Sequence, residues 1–398
     1  MSDVHDLRIR RPRRGGDLAR VLGLVGLASL AAIVVAYDIA LGRTMLDLRM
    51  NDFGRFYYSA RHFLEGQDLY APTAATLIRV SNTGWLNLAN LNPPHFHLLI
   101  LPLSLLRPGV ALACWTAVSV TSLGLAGYVV YENLGRPALS PLRLGLLVIA
   151  CAAWAGTGAL IVTGQVSLVL LWPLALAWSA MRRSRWLTSG VLVGILASVK
   201  PFFVVLFVPL VVRRQYGAVA AGLLTGAAAF LTGLVVFGPD AHVSWIRALL
   251  GVDWAWPVMN GSSLGFLTRL LTANPQLAPV ADIPGVVRPL WLITAASGSA
   301  LTVYIVARRN LGADWAFLLL LLAILIFSPL PLTLICQPSA LATATAGSIY
   351  FWGFLSLCCG AARLAPANPR DAANLGSGAP MTRRATGDRP ACRAWEGT

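Results

Sequence analysis

Four long apolar runs constrain this chain more than any other feature of its sequence. They cover residues 18–41, 144–162, 217–237 and 290–306, and their lengths are near or above what crosses a hydrocarbon core about 30 Å thick. Inside that core every backbone amide needs a partner within the protein, which restricts the chain to helices or a closed barrel. Barrel strands alternate apolar and polar residues, and these runs do not. The pattern therefore predicts an all-α integral membrane protein, a polytopic helical bundle.

The composition supports this prediction and argues against a nucleic-acid partner. Hydrophobic residues make up 57% of the 398 residues and charged residues only 12%, whereas a soluble domain carries about 25% charged residues. The net charge is +15, but the arginines fall in short clusters between apolar runs, as they do in cytoplasmic loops. The six cysteines lie mostly within apolar runs, which is typical of small packing residues rather than of a disulfide framework.

The arginine clusters predict how the chain is oriented. Six arginines lie within the first 20 residues and predict a cytoplasmic N-terminus over residues 1–20, so the first span leads outward. The clusters at 182–185, 213–214 and 308–309 are also expected inside. Only a short apolar stretch separates the first two of these clusters, and Lys200 and Pro201 interrupt it. We therefore predict a hairpin of two short helices with Lys200 at its outer turn.

These orientations give a transmembrane domain over residues 21–360 with about ten transmembrane helices. A first outer loop is expected at 41–108 and a second at 238–289. The apolar segment 95–106 is too short to cross and is interpreted as a juxtamembrane or re-entrant helix on the outer side. Residues 361–398, rich in Ala, Arg, Pro and Gly, are expected to form a disordered cytoplasmic tail.

Several polar residues border apolar spans on the predicted outer face, where such residues are costly and are functional candidates. Asp52 follows the first span and is a candidate general base; alternatively it caps a short amphipathic helix, and both roles can coexist. Lys200 is a candidate cation for the phosphate of a lipid substrate, or else a lysine that extends to the interface. Gln165 could donate to a sugar or phosphate, or join two helices.

The remaining candidates are weaker signals. Asn260 and Ser262 belong to a polar loop that either binds substrate or forms a glycosylation sequon. The histidines of the predicted outer loops lack the spacing of a zinc site. We therefore expect neither a metal nor a cofactor.

A series of different short motifs, each a pattern of a few residues, follows along the chain. They are Asp52-Phe-x4-Tyr58-x-Ala60, Gly66-Gln-Asp-Leu-Tyr70, Asn92-Pro-Pro-x-Phe96, Gly164-Gln-Val-Ser-Leu168, Gly190-x3-Gly194 leading to Lys200-Pro201, Asn260-x-Ser262-Ser-Leu264 with Arg269 downstream, and Ser328-Pro-Leu330. Together, over roughly residues 45–330, they resemble glycosyltransferase family 87, the polyprenol-phosphate-mannose-dependent mannosyltransferases of the GT-C fold.

The resemblance implies a reaction and assigns roles to residues. A polyprenyl-phosphate sugar, with mannose favoured over other hexoses, would be the donor, and the hydroxyl of a lipid or glycan acceptor would attack with inversion on the extracytoplasmic face of the plasma membrane. Asp52 would be the base, and Lys200 and Arg269 would neutralise the leaving phosphate. The same motifs make a group of further residues candidates for substrate binding: Tyr58, Asp68, Tyr70, Gln165, Asn260 and Ser262.

The sequence departs from the family pattern in two places. The loop at Asn260 reads Asn-Gly-Ser-Ser-Leu where the family has Asn-Gln-Ser-Leu. After Leu330 the expected Trp, followed by His or Tyr, is absent, and a frameshifted gene with impaired activity is one hypothesis. Two other functions stay open: a transporter or flippase of lipid-linked sugars, and a non-catalytic membrane subunit whose outer loop, with Asp52, Asp68 and Tyr70, contacts a partner.

Overall fold

The computed structural model describes most of the chain between Asp52 and Phe327. The gaps are 74–76, 80–84, 88, most of 137–159, 162, 252–254, 257–259, 261, 275–277 and 310, and scattered positions between 21 and 40 are also described. The predictions for the runs 18–41 and 144–162 fall largely outside the described residues. Those for the end of the transmembrane domain, residues 328–360, and for the tail at 361–398 fall entirely outside them.

The described part is mainly helical. Its α-helices in chain order are α1 Asp52–Leu64, α2 Leu101–Ser104, α3 Pro108–Asn133, α4 Ser167–Arg182, α5 Trp186–Val199, α6 Val208–Val212, α7 Tyr216–Leu250, α8 Ser263–Leu271, α9 Val287–Arg308 and α10 Ala313–Phe327. Three 3-10 helices, Pro94–Leu99, Pro201–Phe207 and Pro284–Val286, precede α2, α6 and α9. A short antiparallel pair, β1 Leu77–Arg79 and β2 Trp85–Asn87, lies in the loop after α1.

Three of the described helices are long and apolar enough to cross a membrane: α3, α7, and α9 together with the 3-10 turn before it. The protein is therefore an all-α membrane protein, as its apolar runs predict. Helix α7 continues to Leu250, beyond the point at which the second outer loop was expected to begin. It consists of two helical segments that are separated at Gly238, whose φ of 79° and ψ of 170° are non-helical, and the second segment starts at Pro239. Residues 239–250 of that predicted loop are thus helical.

The predicted hairpin break is confirmed at Lys200. Helix α5 ends at Val199, Lys200 has an extended backbone (φ −129°, ψ 99°), and a 3-10 helix starts at Pro201. Proline lacks an N–H and disfavours a helical conformation in the residue before it. The helix must therefore stop here, although both flanking segments are apolar.

Small residues allow α5 to lie directly against α7. A Cβ atom added at Gly190 would lie 2.0 Å from the Ala218 carbonyl oxygen, and one at Gly194 would lie 2.2 Å from that of Gly222. Backbones can approach this closely only where side chains are absent, as in the small-xxx-small pairs of membrane helices. The contact fixes α5, and with it the turn at Lys200.

Helix α1 is held by an aromatic cluster. Phe53 stacks on Trp115 of α3 with ring centroids 5.9 Å apart, and Phe56 meets Phe96 edge-on at 5.1 Å. Phe53, Tyr57, Ala60 and Leu64 are apolar or aromatic residues at helical spacing; the first three are buried, whereas Leu64 is 48% exposed. The segment predicted at 95–106 as a short helix forms the 3-10 helix Pro94–Leu99 and α2. Both pack against α1.

A buried polar network fastens the loop after α1 to this cluster. The Asn90 side chain donates to Ser59 Oγ at 3.1 Å, and its Nδ2 lies 2.6 Å from Nε2 of His97. His97 lies in a 3-10 helix outside the three long spans and is fully buried, which lowers its pKa to about 4. The imidazole is therefore neutral at pH 7 and serves as a packing and hydrogen-bonding group.

Candidate active site

Asp52 is the first described residue of α1 and is only 5% exposed. A carboxylate in the first turn of a helix is stabilised by the free N–H groups and the dipole of that helix. Arg55 lies one turn later, and its Nη1 lies 2.8 Å from Asp52 Oδ1. The helix start thus holds a buried carboxylate paired with a buried guanidinium.

Gln165 reaches the same carboxylate from a distant part of the chain. Its Nε2 donates a hydrogen bond to the second oxygen of Asp52, Oδ2. The residue before it, Gly164, has φ +67°, and a Cβ added there would lie 2.5 Å from Cβ of Phe53. Trp115 Nε1 donates to the Gly164 carbonyl at 2.7 Å. This turn therefore fits against α1 only with glycine at position 164, and it aims Gln165 at Asp52.

Lys200 completes this group. Burial lowers the pKa of Lys200, and the negative charge of the Asp52 carboxylate acts in the opposite direction by raising that pKa. The Lys200 ammonium lies 5.7 Å from the centroid of the Phe202 ring, so one side of it is apolar. Lys200 is also the single lysine of the chain. The turn that ends α5 therefore brings a unique amine into the neighbourhood of Asp52.

The charges of this group favour an added anion. Asp52 contributes one negative charge, whereas Arg55 and Lys200 contribute two positive ones. Nε of Arg55 is buried and has no hydrogen-bond partner among the described residues. Buried donors are normally satisfied, and a phosphate oxygen would satisfy this one with a charge-assisted bond.

Asn260, Ser262 and Arg269 form a second, tightly bonded group. Ser262 caps α8 by accepting from the Gly265 amide at 3.0 Å, and its hydroxyl donates to Asn260 Oδ1 at 2.8 Å. Arg269 Nη1 donates to the Asn260 carbonyl at 2.9 Å, and burial lowers the pKa of Arg269 to about 10. Helix α8 packs against α9 and α10, whereas α1 packs against α2, α3 and the 3-10 helix at 94–99. The two groups are thus built on different elements.

The other candidates of the first loop make contacts within the protein. Tyr70 donates from its hydroxyl to the Asn92 carbonyl at 2.6 Å. Asp68 accepts from the Tyr70 amide at 3.0 Å and from the Ser244 hydroxyl of α7 at 2.9 Å. Tyr58 packs on the core cluster around α1. These contacts hold the first loop against α7 and the aromatic cluster.

Two residues of the site were not predicted from the sequence. Arg55 carries a local signal, since it follows Asp52 by three residues and such pairs meet on one helix face. Trp115 carries none, because its bond to Gly164 joins positions 49 apart in the chain.

One comparison with known proteins places the chain in a family. The family model described as glycosyltransferase family 87 matches residues 90–362. The match includes Gln165, Lys200 and the Asn260–Arg269 group, and it starts after Asp52. It also continues past Leu330, where the resemblance was expected to end. No curated protein and no solved structure matches the chain.

Proposed function

This chain belongs to glycosyltransferase family 87, and from that premise we propose that it transfers a hexose from a polyprenyl-phosphate donor to a hydroxyl of a lipid or glycan acceptor. The hexose that we propose is mannose. The reaction takes place on the extracytoplasmic face of the plasma membrane. The architecture we propose is of the GT-C type, with the active site where the first outer loop meets the bundle.

The observation that carries this proposal is the buried Asp52 carboxylate between Arg55 and Lys200. The acceptor hydroxyl gives its proton to Asp52 while its oxygen attacks the anomeric carbon. The bond from that carbon to the phosphate oxygen breaks on the opposite face of the sugar, and the configuration inverts. Negative charge grows on the departing polyprenyl phosphate, and fixed cations stabilise it most in the transition state.

The hydrogen bonds around Asp52 are compatible with its role as a base. Arg55 engages one carboxylate oxygen and Gln165 the other, but an ionised carboxylate has about four acceptor sites. Two of them are left for the acceptor hydroxyl. The pair of fixed donors also holds the carboxylate in one orientation, which favours attack from one direction.

We assign the group of Asn260, Ser262 and Arg269 to a second set of substrate contacts, because the predicted topology places it on the same outer side. Its internal hydrogen bonds keep the turn rigid. Tyr58, Asp68 and Tyr70 are proposed to shape the loop that covers the acceptor.

Because Lys200 is the single lysine of the chain, an amine reagent gives a direct test of the donor and of the face. Intact cells or sealed right-side-out vesicles are treated with a membrane-impermeant amine reagent, and the modified peptide is identified by mass spectrometry. We expect modification of Lys200, and protection of it by added polyprenyl phosphate. Lys200 labelled only from the cytoplasmic side, or labelled equally with and without polyprenyl phosphate, would refute the proposed site.

A kinetic arm tests the donor class. Membranes bearing the protein receive radiolabelled polyprenyl-phosphate mannose or a radiolabelled nucleoside-diphosphate mannose, and the transfer of labelled mannose into lipid or glycan products is measured. We expect transfer from the lipid donor alone, and a fall of about 100-fold for Lys200→Met. The proposal fails if the nucleotide sugar is used directly when lipid-donor synthesis is blocked.

A further inference from the structure

A polar groove lies beside the C-terminal half of α1, at least one turn along the helix from Asp52. It has a volume of about 540 Å³ and is formed by the C-terminal half of α1 and the turn between α2 and α3. Asp52 and Arg55 sit on the inward face of α1, whereas the groove is lined by Tyr57, Tyr58, Arg61 and His62 from α1 and by Leu106 and Arg107 from the turn. Apart from Tyr58, none of its lining residues has a part in the proposed reaction.

The walls of the groove carry positive charge. Arg107 is exposed and has no acidic partner in the described part of the chain. Arg61 pairs with Glu65 at 3.1 Å, but both side chains are more than 40% exposed, and such surface pairs are worth little and exchange readily. Nδ1 of His62 is buried and lacks a hydrogen-bond partner among the residues described. Two arginines and one carboxylate therefore line the groove, and this excess of positive charge favours an anionic occupant.

The tyrosines give the groove a fixed shape. The hydroxyl of Tyr57 donates to the Leu106 carbonyl at 2.8 Å and ties α1 to the turn. The rings of Tyr57 and Tyr58 meet edge-on with centroids 5.2 Å apart. Because this tie joins the two walls, Arg61 and Arg107 are held on either side of one opening rather than on independent loops.

The rim of the groove is apolar and exposed. Leu105 and Leu106 line the groove and are 72% and 39% exposed. Free phosphate in water gains nothing from exposed leucines, whereas a lipid gains from both parts of such a surface. Apolar side chains enter the acyl region, and basic ones stay at the level of the headgroups.

We propose that this groove binds the phosphate of an anionic membrane phospholipid. Arg61 and Arg107 contact the phosphodiester from two sides, with charge-assisted hydrogen bonds. The acyl chains lie on the exposed leucines of the rim. The bound lipid would hold the C-terminal half of α1 against the turn before α3.

Lipid selectivity tests this proposal without any assay of sugar transfer. The purified full chain is placed in bilayers of phosphatidylcholine that contain spin-labelled phosphatidylglycerol or spin-labelled phosphatidylcholine, and the motionally restricted fraction of each is measured. We expect the parent to select phosphatidylglycerol, and Arg61→Gln/Arg107→Gln to reduce that selectivity at least about tenfold, as expected for the loss of two charge-assisted contacts. Arg308→Gln/Arg309→Gln, at the exposed end of α9, is the matched control and should select as the parent does.

Two further measurements keep the result decisive. Arg107→Gln alone changes an exposed side chain and should fold normally, with an intermediate loss of selectivity. Excess inorganic phosphate should leave the bound phosphatidylglycerol in place, because it cannot use the apolar rim. The proposal is overturned if the double variant selects phosphatidylglycerol as well as the parent, if the control loses as much, or if inorganic phosphate displaces the lipid completely.

Discussion

Replacing Gly164 with alanine tests whether the turn before Gln165 positions Asp52. Gly164 has φ +67°, and an added Cβ would lie 2.5 Å from Cβ of Phe53. Two effects add. A left-handed backbone costs an L-residue about 1–2 kcal/mol, and a carbon–carbon contact that short must open by about 1 Å to reach the optimal range. Either the turn or the first residues of α1 must move.

The expected loss of activity exceeds the expected loss of stability. Overpacking of this kind costs about 1–3 kcal/mol of folding free energy in addition to the about 1–2 kcal/mol of the left-handed backbone, and we expect the variant still to fold. A displacement of about 1 Å between reacting groups, however, can cost on the order of 100-fold in rate. Gln165 and Asp52 lie on the two sides of the contact, so the shift falls directly on the carboxylate.

The assay is transfer of radiolabelled mannose from polyprenyl-phosphate mannose, measured beside the thermal unfolding midpoint. Gly124→Ala is the matched control, since Gly124 lies in α3 and an added Cβ there meets nothing within 4 Å. We expect Gly164→Ala to lose roughly 100-fold in kcat/KM, and Gly124→Ala to keep the parent rate. Parent-like transfer by Gly164→Ala would refute the idea that this turn fixes the site.

Three further changes follow from the contacts. Gly222→Ala places a Cβ 2.4 Å from the Gly190 carbonyl oxygen and should lower the free energy of unfolding by about 1–3 kcal/mol in a denaturation assay in detergent; an unchanged midpoint would contradict the close contact of α5 and α7. The pKa of His97 is lowered to about 4, so as the pH falls the unfolded state takes up a proton on His97 before the folded state does; the free energy of unfolding is therefore highest above pH 6.5 and falls as the pH drops toward 4. His97→Gln should reduce this pH dependence in unfolding curves recorded between pH 7 and 4.5. An equal pH dependence in both proteins would contradict the role of His97. Ser262→Ala removes the cap of α8 and should cost about 1 kcal/mol by the same unfolding assay, while Ser262→Thr should recover most of it.

Much of the helical architecture could be predicted from local patterns. The runs at 217–237 and 290–306 are apolar for the length of a span, and each lies in a long helix. The break at Lys200 follows from the proline after it. The Gly-Pro pair at 238–239 does end one helical segment, but the second segment that follows it directly was not predicted. Here Gly238 takes a φ of 79° and Pro239 starts the next helical turn, a position that proline favours.

The candidate site could be predicted only in part. The arginine clusters suggested one face for Asp52, Gln165 and Lys200, and the structure brings these three together. The bond between Gln165 and Asp52 joins residues 113 positions apart, and no periodicity encodes such a contact. Trp115 is a core aromatic by its pattern, and only the folded turn at Gly164 gives its indole N–H a partner. The internal bonds of Asp68 and Tyr70 likewise depend on how the first loop folds back on α7.

The most direct test of the central claim is the rate of sugar transfer by Asp52→Asn. Asparagine keeps the size of the side chain but cannot take a proton from the acceptor, so kcat should fall by at least about 100-fold. Binding of polyprenyl phosphate, measured as the protection of Lys200 from the amine reagent, should persist. Asp240→Asn, at an exposed position of α7, is the matched control and should transfer at the parent rate. Transfer by Asp52→Asn as fast as by the parent would contradict the account of Asp52 as the general base.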